Sequence, residues 1–153
     1  MAFDGRMSYG DYLRIDSIER ALRDSTLALH PAEDAGYRAA QAVAEDNLKL
    51  GRSVIIDAVN ATAVTREWWA ETARRHATGF FEATLYVSDL AEHRSRIMSR
   101  PDGPVWEDVQ QRAFEPHLTA NLALDTSRLT LDACLTRLYK AITDQDRKLA
   151  KGM

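Results

Sequence analysis

Two acidic residues each stand at the carboxyl end of a predicted strand and could act on a bound ligand. Asp16 follows the segment Tyr12–Ile15, and Asp57 ends the β-branched segment Ser53–Asp57. In open α/β sheets, ligands bind beyond the carboxyl ends of the strands, and a carboxylate there can accept the proton of an attacking hydroxyl. Asp16 and Glu19 also match a D-x-x-E capping box, which needs no ligand. This motif alone supports the two interpretations about equally.

Asn60 lies three residues after Asp57 and could contribute to the same edge of the sheet. Its side chain can hydrogen-bond a polar ligand, or it can close a turn through its own backbone. The sequence leaves both interpretations open. The ligand-binding interpretation is supported by the fact that two predicted strands bring acids to the same edge of the sheet.

Arg96 and Arg100 are four residues apart in a predicted helix, so we expect them to share one face of it. Two guanidinium groups on one face can bind phosphate oxygens in bidentate fashion. The usual alternative is a solvated surface whose arginines pair with Glu92 or Asp89. Residues 100–106, with two prolines and a glycine, predict a flexible loop. A basic helix followed by such a loop suits a lid over a nucleotide.

No pattern in the sequence indicates a metal site or a nucleophilic triad. The four histidines and Cys134 lack the spacing of zinc ligands, and there is no G-x-S-x-G. Cys134 lies on an apolar helical stripe and is expected in the core. Trp68 and Trp69 are expected to pack rather than to stack on bases.

The composition predicts one domain of an ordinary soluble type. The chain has 153 residues, 45% of them hydrophobic and 28% charged, with a net charge of −3. This charge argues against long nucleic acid as a partner. A single cysteine excludes an internal disulfide, and no segment predicts a membrane span or a secretory signal. We therefore expect a cytoplasmic protein with no membrane partner.

The elements that must position these residues alternate between strands and helices, which predicts a parallel α/β sheet covered on both faces. Residues 1–11 are predicted to be irregular, and 146–153 to form a polar tail that frays. Between them lie four strands, Tyr12–Ile15, Ser53–Asp57, Phe81–Val87 and Leu122–Asp125. Five helices are predicted at Pro31–Leu50, Thr65–Ala77, Asp89–Arg100, Trp106–His117 and Leu131–Ile142, and a further one begins at Asp16.

Together these segments resemble the P-loop kinase superfamily of AAA-type kinases. That superfamily includes the phage-type polynucleotide 5′-kinase, chloramphenicol phosphotransferase and adenylylsulfate kinase. The resemblance runs from about Tyr12 to Ile142. It is most specific in G-R-S-V-I-I-D-A-V-N-A-T-A-V-T-R-E-W-W (51–69), which resembles the family strand that ends in D-x-N or D-x-x-N and leads to an arginine opening a helix. Arg96-x-x-x-Arg100 resembles the lid arginines.

The resemblance implies a role for each matching residue in an ATP- and Mg²⁺-dependent phosphotransferase. The sequence Arg14-x-Asp16 resembles the strand end whose acid is the general base on an acceptor hydroxyl. The implied acceptor is a small molecule or a nucleotide. The acceptor-binding residues would be Arg14, Arg20, Asp57 and Asn60, although the family arginine stands three residues after the acid, where this chain has Glu19. Residues Thr126, Ser127 and Arg128 match the loop near the adenine.

The chain departs from the family at its start. Such kinases begin with an apolar strand and G-x-x-x-x-G-K-[ST], whose backbone N–H groups and lysine hold the phosphates. No such motif occurs in this sequence. We therefore expect a three-layer, P-loop NTPase-like parallel sheet of order 2-3-1-4-5 without its central first strand and phosphate loop. A vacancy is expected between the Ser53–Asp57 and Phe81–Val87 strands.

This departure has consequences for activity and partners. We expect weak ATP binding, an inactive truncated kinase, and self-association through exposed strand edges. The alternative function is a non-catalytic, kinase-like remnant that acts as a binding or interaction module.

Overall fold

The computed structural model describes residues 10–26, 31, 33–101 and 103–151, and it divides into two compact units. Unit 1 comprises Met1–Asn60 and Val64–Thr78, and unit 2 comprises Ala61–Ala63 and Gly79–Met153. The strands are β1 Asp11–Arg14, β2 Val54–Asp57, β3 Ala83–Tyr86 and β4 Leu122–Asp125. The helices are α1 Ile15–Asp24, α2 Ala35–Lys49, α3 Ala63–Arg75, α4 Leu90–Met98, α5 Trp106–Gln111 and α6 Leu131–Lys151.

Unit 1 is built on a two-stranded parallel sheet of β1 and β2, with Tyr12 opposite Ile55 and Arg14 opposite Asp57. Helix α2 packs on this sheet with a stripe of small side chains that includes the buried Ala40 and Ala44. Small side chains on this stripe let the helix approach the strands closely. Tyr12 and Ile55 lie on one face of the sheet and are exposed.

Helices α1 and α2 of unit 1 also pack against each other. Gly36 permits this contact, because a Cβ there would collide with the side chain of Glu19. Gly51 follows α2 with a φ of +74°, the left-handed conformation in which a glycine commonly ends a helix.

Unit 2 is built on a second parallel pair, β3 and β4, in which Leu85 lies opposite Leu124 and Tyr86 opposite Asp125. Leu124 is almost fully buried, and α6 packs on β4. Helices α4 and α5 contact each other, with Ile97 and Trp106 buried. Asp89 caps α4 by accepting a hydrogen bond from the backbone N–H of Glu92.

These elements confirm a mixed α/β architecture with parallel strand pairs. Among the residues that the structure describes, the strands form two separate two-stranded sheets, and the finer P-loop NTPase-like arrangement stays a prediction. The predicted vacancy also stays a prediction, because β2 and β3 belong to different units. Residues 1–9 lie outside the described part of the chain. Asp11, expected to be irregular, already belongs to β1.

The capping-box interpretation of Asp16, one of the two that the sequence left open, does not fit the structure. Strand β1 ends at Arg14 and α1 begins at Ile15 without a linker, so the N-cap is Arg14 and Asp16 lies inside the first turn. Ile15 is 2% exposed and gains its burial as a helical residue rather than as the end of a strand. An acid in the first turn still interacts favourably with the helix dipole.

Three other boundaries differ from the expectations. Helix α4 ends at Met98, with Ser99 as its C-cap, so Arg100 lies beyond the helix and does not share a helical face with Arg96. Helix α5 ends at Gln111 rather than at His117. Helix α6 continues to Lys151, and the predicted fraying tail is helical through that residue. No helix in the described ranges is long and apolar enough to cross a membrane.

Candidate functional site

The carboxyl ends of β1 and β2 bring four polar residues together. The parallel register places Arg14 beside Asp57, and Tyr12, two residues earlier, lies on the same face as Arg14. The immediate start of α1 adds Asp16. We call Tyr12, Arg14, Asp16 and Asp57 the acidic edge.

Arg14 bridges the two carboxylates of the acidic edge. Its Nη2 lies 3.2 Å from Oδ2 of Asp16, and its Nε lies 3.8 Å from Oδ2 of Asp57. The Tyr12 hydroxyl donates a hydrogen bond to the same oxygen of Asp57. This hydrogen bond raises the pKa of Tyr12, and the negative charge of Asp57 adds to the effect. The four side chains therefore form one connected network.

The acidic edge is accessible to solvent. The side chains of Arg14, Asp16 and Asp57 are 45%, 58% and 52% exposed. Exposed ion pairs contribute only about 0–1 kcal/mol, so a ligand can displace these contacts at low cost. Arg20, the other arginine implied at this end, lies further along α1 and is exposed. The site can thus offer carboxylate acceptors and a guanidinium to a polar ligand.

Asn60 has a structural role in unit 1. Its backbone is left-handed, with a φ of +47°, a conformation that asparagine adopts more readily than most residues. Its Oδ1 accepts a 3.0 Å hydrogen bond from the indole of the buried Trp69. Its N–H donates to the hydroxyl of Tyr37, and its carbonyl accepts from Arg66. These bonds favour the turn-closing interpretation, and a ligand contact by Asn60 stays a prediction.

The carboxyl end of β4 in unit 2 carries a third acid, Asp125, with different surroundings. Oδ1 of Asp125 accepts from the backbone N–H and hydroxyl of Ser127, at 3.1 and 2.6 Å, and from the N–H of Ser88, at 3.1 Å. Its Oδ2 accepts from the Ser88 hydroxyl and lies 3.3 Å from Nε of Arg128. The hydrogen bonds from Ser127 and Ser88 hold the pKa of Asp125 far below its usual value.

Arg96 and the loop at 126–128, predicted separately from the sequence, are in contact. Nη1 of Arg96 donates to Oγ1 of Thr126 at 2.7 Å, and Nη2 donates to the Thr126 carbonyl at 2.8 Å. Arg96 also pairs with Glu92, one of the partners that the sequence offers as an alternative to phosphate. The loop itself is attached to β3, because the N–H of Thr126 donates to the carbonyl of Tyr86.

Arg100 lies in the predicted lid, residues 100–106, whose position 102 falls outside the described residues. Arg100 and Arg94 line a cavity of about 260 Å³ next to Trp106, which begins α5. The structure does not bring Arg100 together with Arg96 on one helical face. Its role towards a phosphate therefore stays a prediction.

Three contributors to these sites were not identified from the sequence: Tyr12, Ser88 and Asp125. Tyr12 could have been found, because strand alternation places it on the face of Arg14. Asp125 also ends a strand, as Asp57 does, but Ser88 joins it only through the pairing of β3 with β4. Within the described part of the chain, no group of three histidine, cysteine or acidic residues is placed to hold a metal ion. No protein-family model matches this chain, and a search of curated proteins finds no match to it.

Proposed function

We propose that this chain is an ATP-dependent phosphotransferase by family, related to the P-loop kinases that its sequence resembles, and that the acidic edge binds the acceptor hydroxyl. The observation that carries the proposal is the position of Asp16. Its carboxylate stands at the carboxyl end of a parallel strand, is 58% exposed, and is not used as a helix cap.

The residues of the acidic edge fit the chemistry of a hydroxyl acceptor. Phosphoryl transfer requires mainly positioning of the reactants and stabilisation of charge, with one group to accept the proton of the hydroxyl. Asp16 is the proposed base, and the Arg14 guanidinium, 3.2 Å away, would orient its carboxylate. Asp57, held by Tyr12 and Arg14, would accept a second hydrogen bond from the substrate. The acceptor class remains a small molecule or a nucleotide.

Unit 2 would serve the nucleotide in this proposal. Arg96 holds the loop Thr126–Arg128, which the resemblance assigns to the adenine, and Arg100 stands in the predicted lid. ATP and Mg²⁺ would be the cosubstrate and its ion. The sequence contains no G-x-x-x-x-G-K-[ST], so we expect this chain to hold the phosphates weakly.

A second candidate is a binding module without turnover. The observation that favours it is that Tyr12, Arg14, Asp16 and Asp57 pair with one another, so the acidic edge forms its own hydrogen bonds and ion pairs without a ligand. The two candidates differ in one observable. A phosphotransferase transfers label from ATP, whereas a module binds a hydroxyl compound without transfer.

The test combines transfer and acceptor binding. The chain is incubated with millimolar γ-labelled Mg-ATP and four acceptors: a 5′-hydroxyl oligonucleotide, a nucleoside, an antibiotic with free hydroxyls and a simple sugar. Acceptor binding is followed by NMR of the ligand. In a version that carries the family's first strand and G-x-x-x-x-G-K-[ST] loop ahead of residue 12, we expect Asp16→Asn to lower transfer by about a hundredfold or more, the scale of a lost general base.

Asp24→Asn is the matched control, because this substitution removes the same negative charge from the other end of α1. It should leave transfer within a factor of about two, as remote exposed substitutions usually do. Acceptor binding that depends on Asp16 without transfer supports the binding module. If transfer is measurable and equal in the wild type and in Asp16→Asn, Asp16 is not the general base.

A further inference from the structure

We infer that unit 2 contains a binding site for a small apolar molecule with one anionic group, distinct from the acidic edge and bordered at Thr126 by the predicted nucleotide loop. The site is a cavity of about 320 Å³ between the β3–β4 sheet and α6. Six leucines and Cys134 line it, together with two polar residues, Arg96 and Thr126.

The size and lining of the cavity indicate a small molecule rather than a protein segment. Binding sites for small ligands have volumes of about 300–1,000 Å³ and are mostly apolar, with a few polar groups that fix the ligand. This cavity lies at the lower end of that range, too small for a helix. Leu124 forms a buried wall, whereas Leu85, Leu131 and Leu135 are 64%, 73% and 53% exposed and form an open entrance.

Arg96 determines the charge of the ligand. Its hydrogen bonds to Thr126 use one N–H of Nη1 and one of Nη2, and its ion pair with Glu92 also uses Nη2. A guanidinium has five N–H donors, so Nε–H and the second N–H of Nη1 have no partner within the described residues. The side chain is 39% exposed. A carboxylate or sulfonate on the ligand would satisfy these donors while its apolar body fills the leucine cavity.

Cys134 supplies a reporter for this site, since it is the only cysteine of the chain and lines the cavity. The probes are 8-anilinonaphthalene-1-sulfonate, which is apolar and anionic, and N-phenyl-1-naphthylamine, which lacks the sulfonate. We expect saturable binding of one sulfonate probe per chain, detected by its fluorescence. Bound probe should slow the alkylation of Cys134 by N-ethylmaleimide in proportion to its occupancy.

Variants assign the binding to the cavity. Leu135→Trp and Leu131→Trp place an indole at the entrance, and each should weaken both probes by about tenfold or more, because the apolar body loses its space. Leu118→Trp is the control, since Leu118 is 90% exposed and does not line the cavity. Arg96→Gln should weaken the sulfonate probe by about tenfold, the scale of a charged hydrogen bond, and leave the neutral probe unchanged.

Two results would overturn the inference. One is probe binding that does not protect Cys134 or is equally affected by Leu118→Trp, which would mean general adsorption to apolar surface. The other is competitive displacement of both probes by adenosine, which would assign the cavity to the nucleotide of the proposed kinase. The phosphotransfer test with Asp16→Asn is independent, so either proposal can fail without the other.

Discussion

Substitutions of Asn60 would separate its structural role from the ligand-binding role that the sequence left open. Asn60 combines a left-handed backbone with a side-chain oxygen that accepts from the buried indole of Trp69. Alanine loses both properties, glycine keeps only the backbone freedom, and aspartate keeps an acceptor and tolerates the backbone. The three variants therefore isolate the two contributions.

The expected magnitudes follow from these contacts. Trp69 is 7% exposed, and its indole N–H loses its acceptor when residue 60 has no side-chain oxygen. An unpaired buried donor costs about 1–3 kcal/mol. Asparagine already carries a Cβ, so alanine adds only the part of the left-handed penalty of about 1–2 kcal/mol that the polar side chain of asparagine offsets. Asn60→Ala should thus lower the free energy of unfolding by about 3 kcal/mol, or the Tm by about 6–12 °C for a chain of this size. Asn60→Gly should cost less, and Asn60→Asp under about 1 kcal/mol.

The assay is urea unfolding followed by far-UV circular dichroism, with Asn47→Ala as the control. Asn47 lies in the helical backbone of α2, and its side chain makes only exposed contacts, so this substitution should change stability by no more than about 0.5 kcal/mol. In a Trp69→Phe background, which removes the indole donor, Asn60→Ala should cost only its backbone part. If Asn60→Ala equals wild type in stability, the turn-closing role is refuted and a ligand contact becomes the better account of Asn60.

Three further predictions concern the nucleotide, pH and association. Calorimetric titration with Mg-ATP should give weak or undetectable binding, because two arginines cannot replace a cradle of backbone N–H groups, and a micromolar Kd would contradict this. Folding lowers the pKa of Asp125, so this residue's contribution to stability is fully present above its unfolded pKa of about 4 and is lost as the pH falls from there through the lower folded pKa. Ser127→Ala should therefore flatten the acid limb of a curve of stability against pH. The chain should self-associate in sedimentation velocity through its exposed strand edges, and Ile55→Lys, which places a charge on strand β2, should reduce this association. A wild-type monomer at all concentrations would refute this prediction.

The sequence predicted the elements because their signals are local. The segment LALD is strand β4 with the predicted bounds, and Asp89 caps α4 as its type and position suggest. The polar end of α6 was misjudged because i,i+4 and i,i+3 ion pairs, such as those of Asp144 with Lys140 and Arg147, support a helix without an apolar stripe.

The start of α1 could not be placed from the sequence, because a buried isoleucine fits both the end of a strand and the first turn of a helix. That one-residue difference decides the role of Asp16, since the N-cap is Arg14 rather than the acid. The contacts of Arg96 with Thr126 were also out of reach, because they join positions 30 residues apart.

The three acids at strand ends differ in how far their oxygens are already used, and this difference identifies the candidate base. Asp125 is buried and accepts from two hydroxyls and two backbone N–H groups, so its pKa is lowered and it is a poor proton acceptor. Asp57 accepts the hydroxyl of Tyr12 and lies near Arg14 through the same oxygen. Among the described residues, the side chain of Asp16 pairs with Arg14 alone, and it is more exposed than those of Arg14 and Asp57. A base must be able to reach a substrate and accept its proton, and of these three carboxylates Asp16 meets both conditions with the least rearrangement.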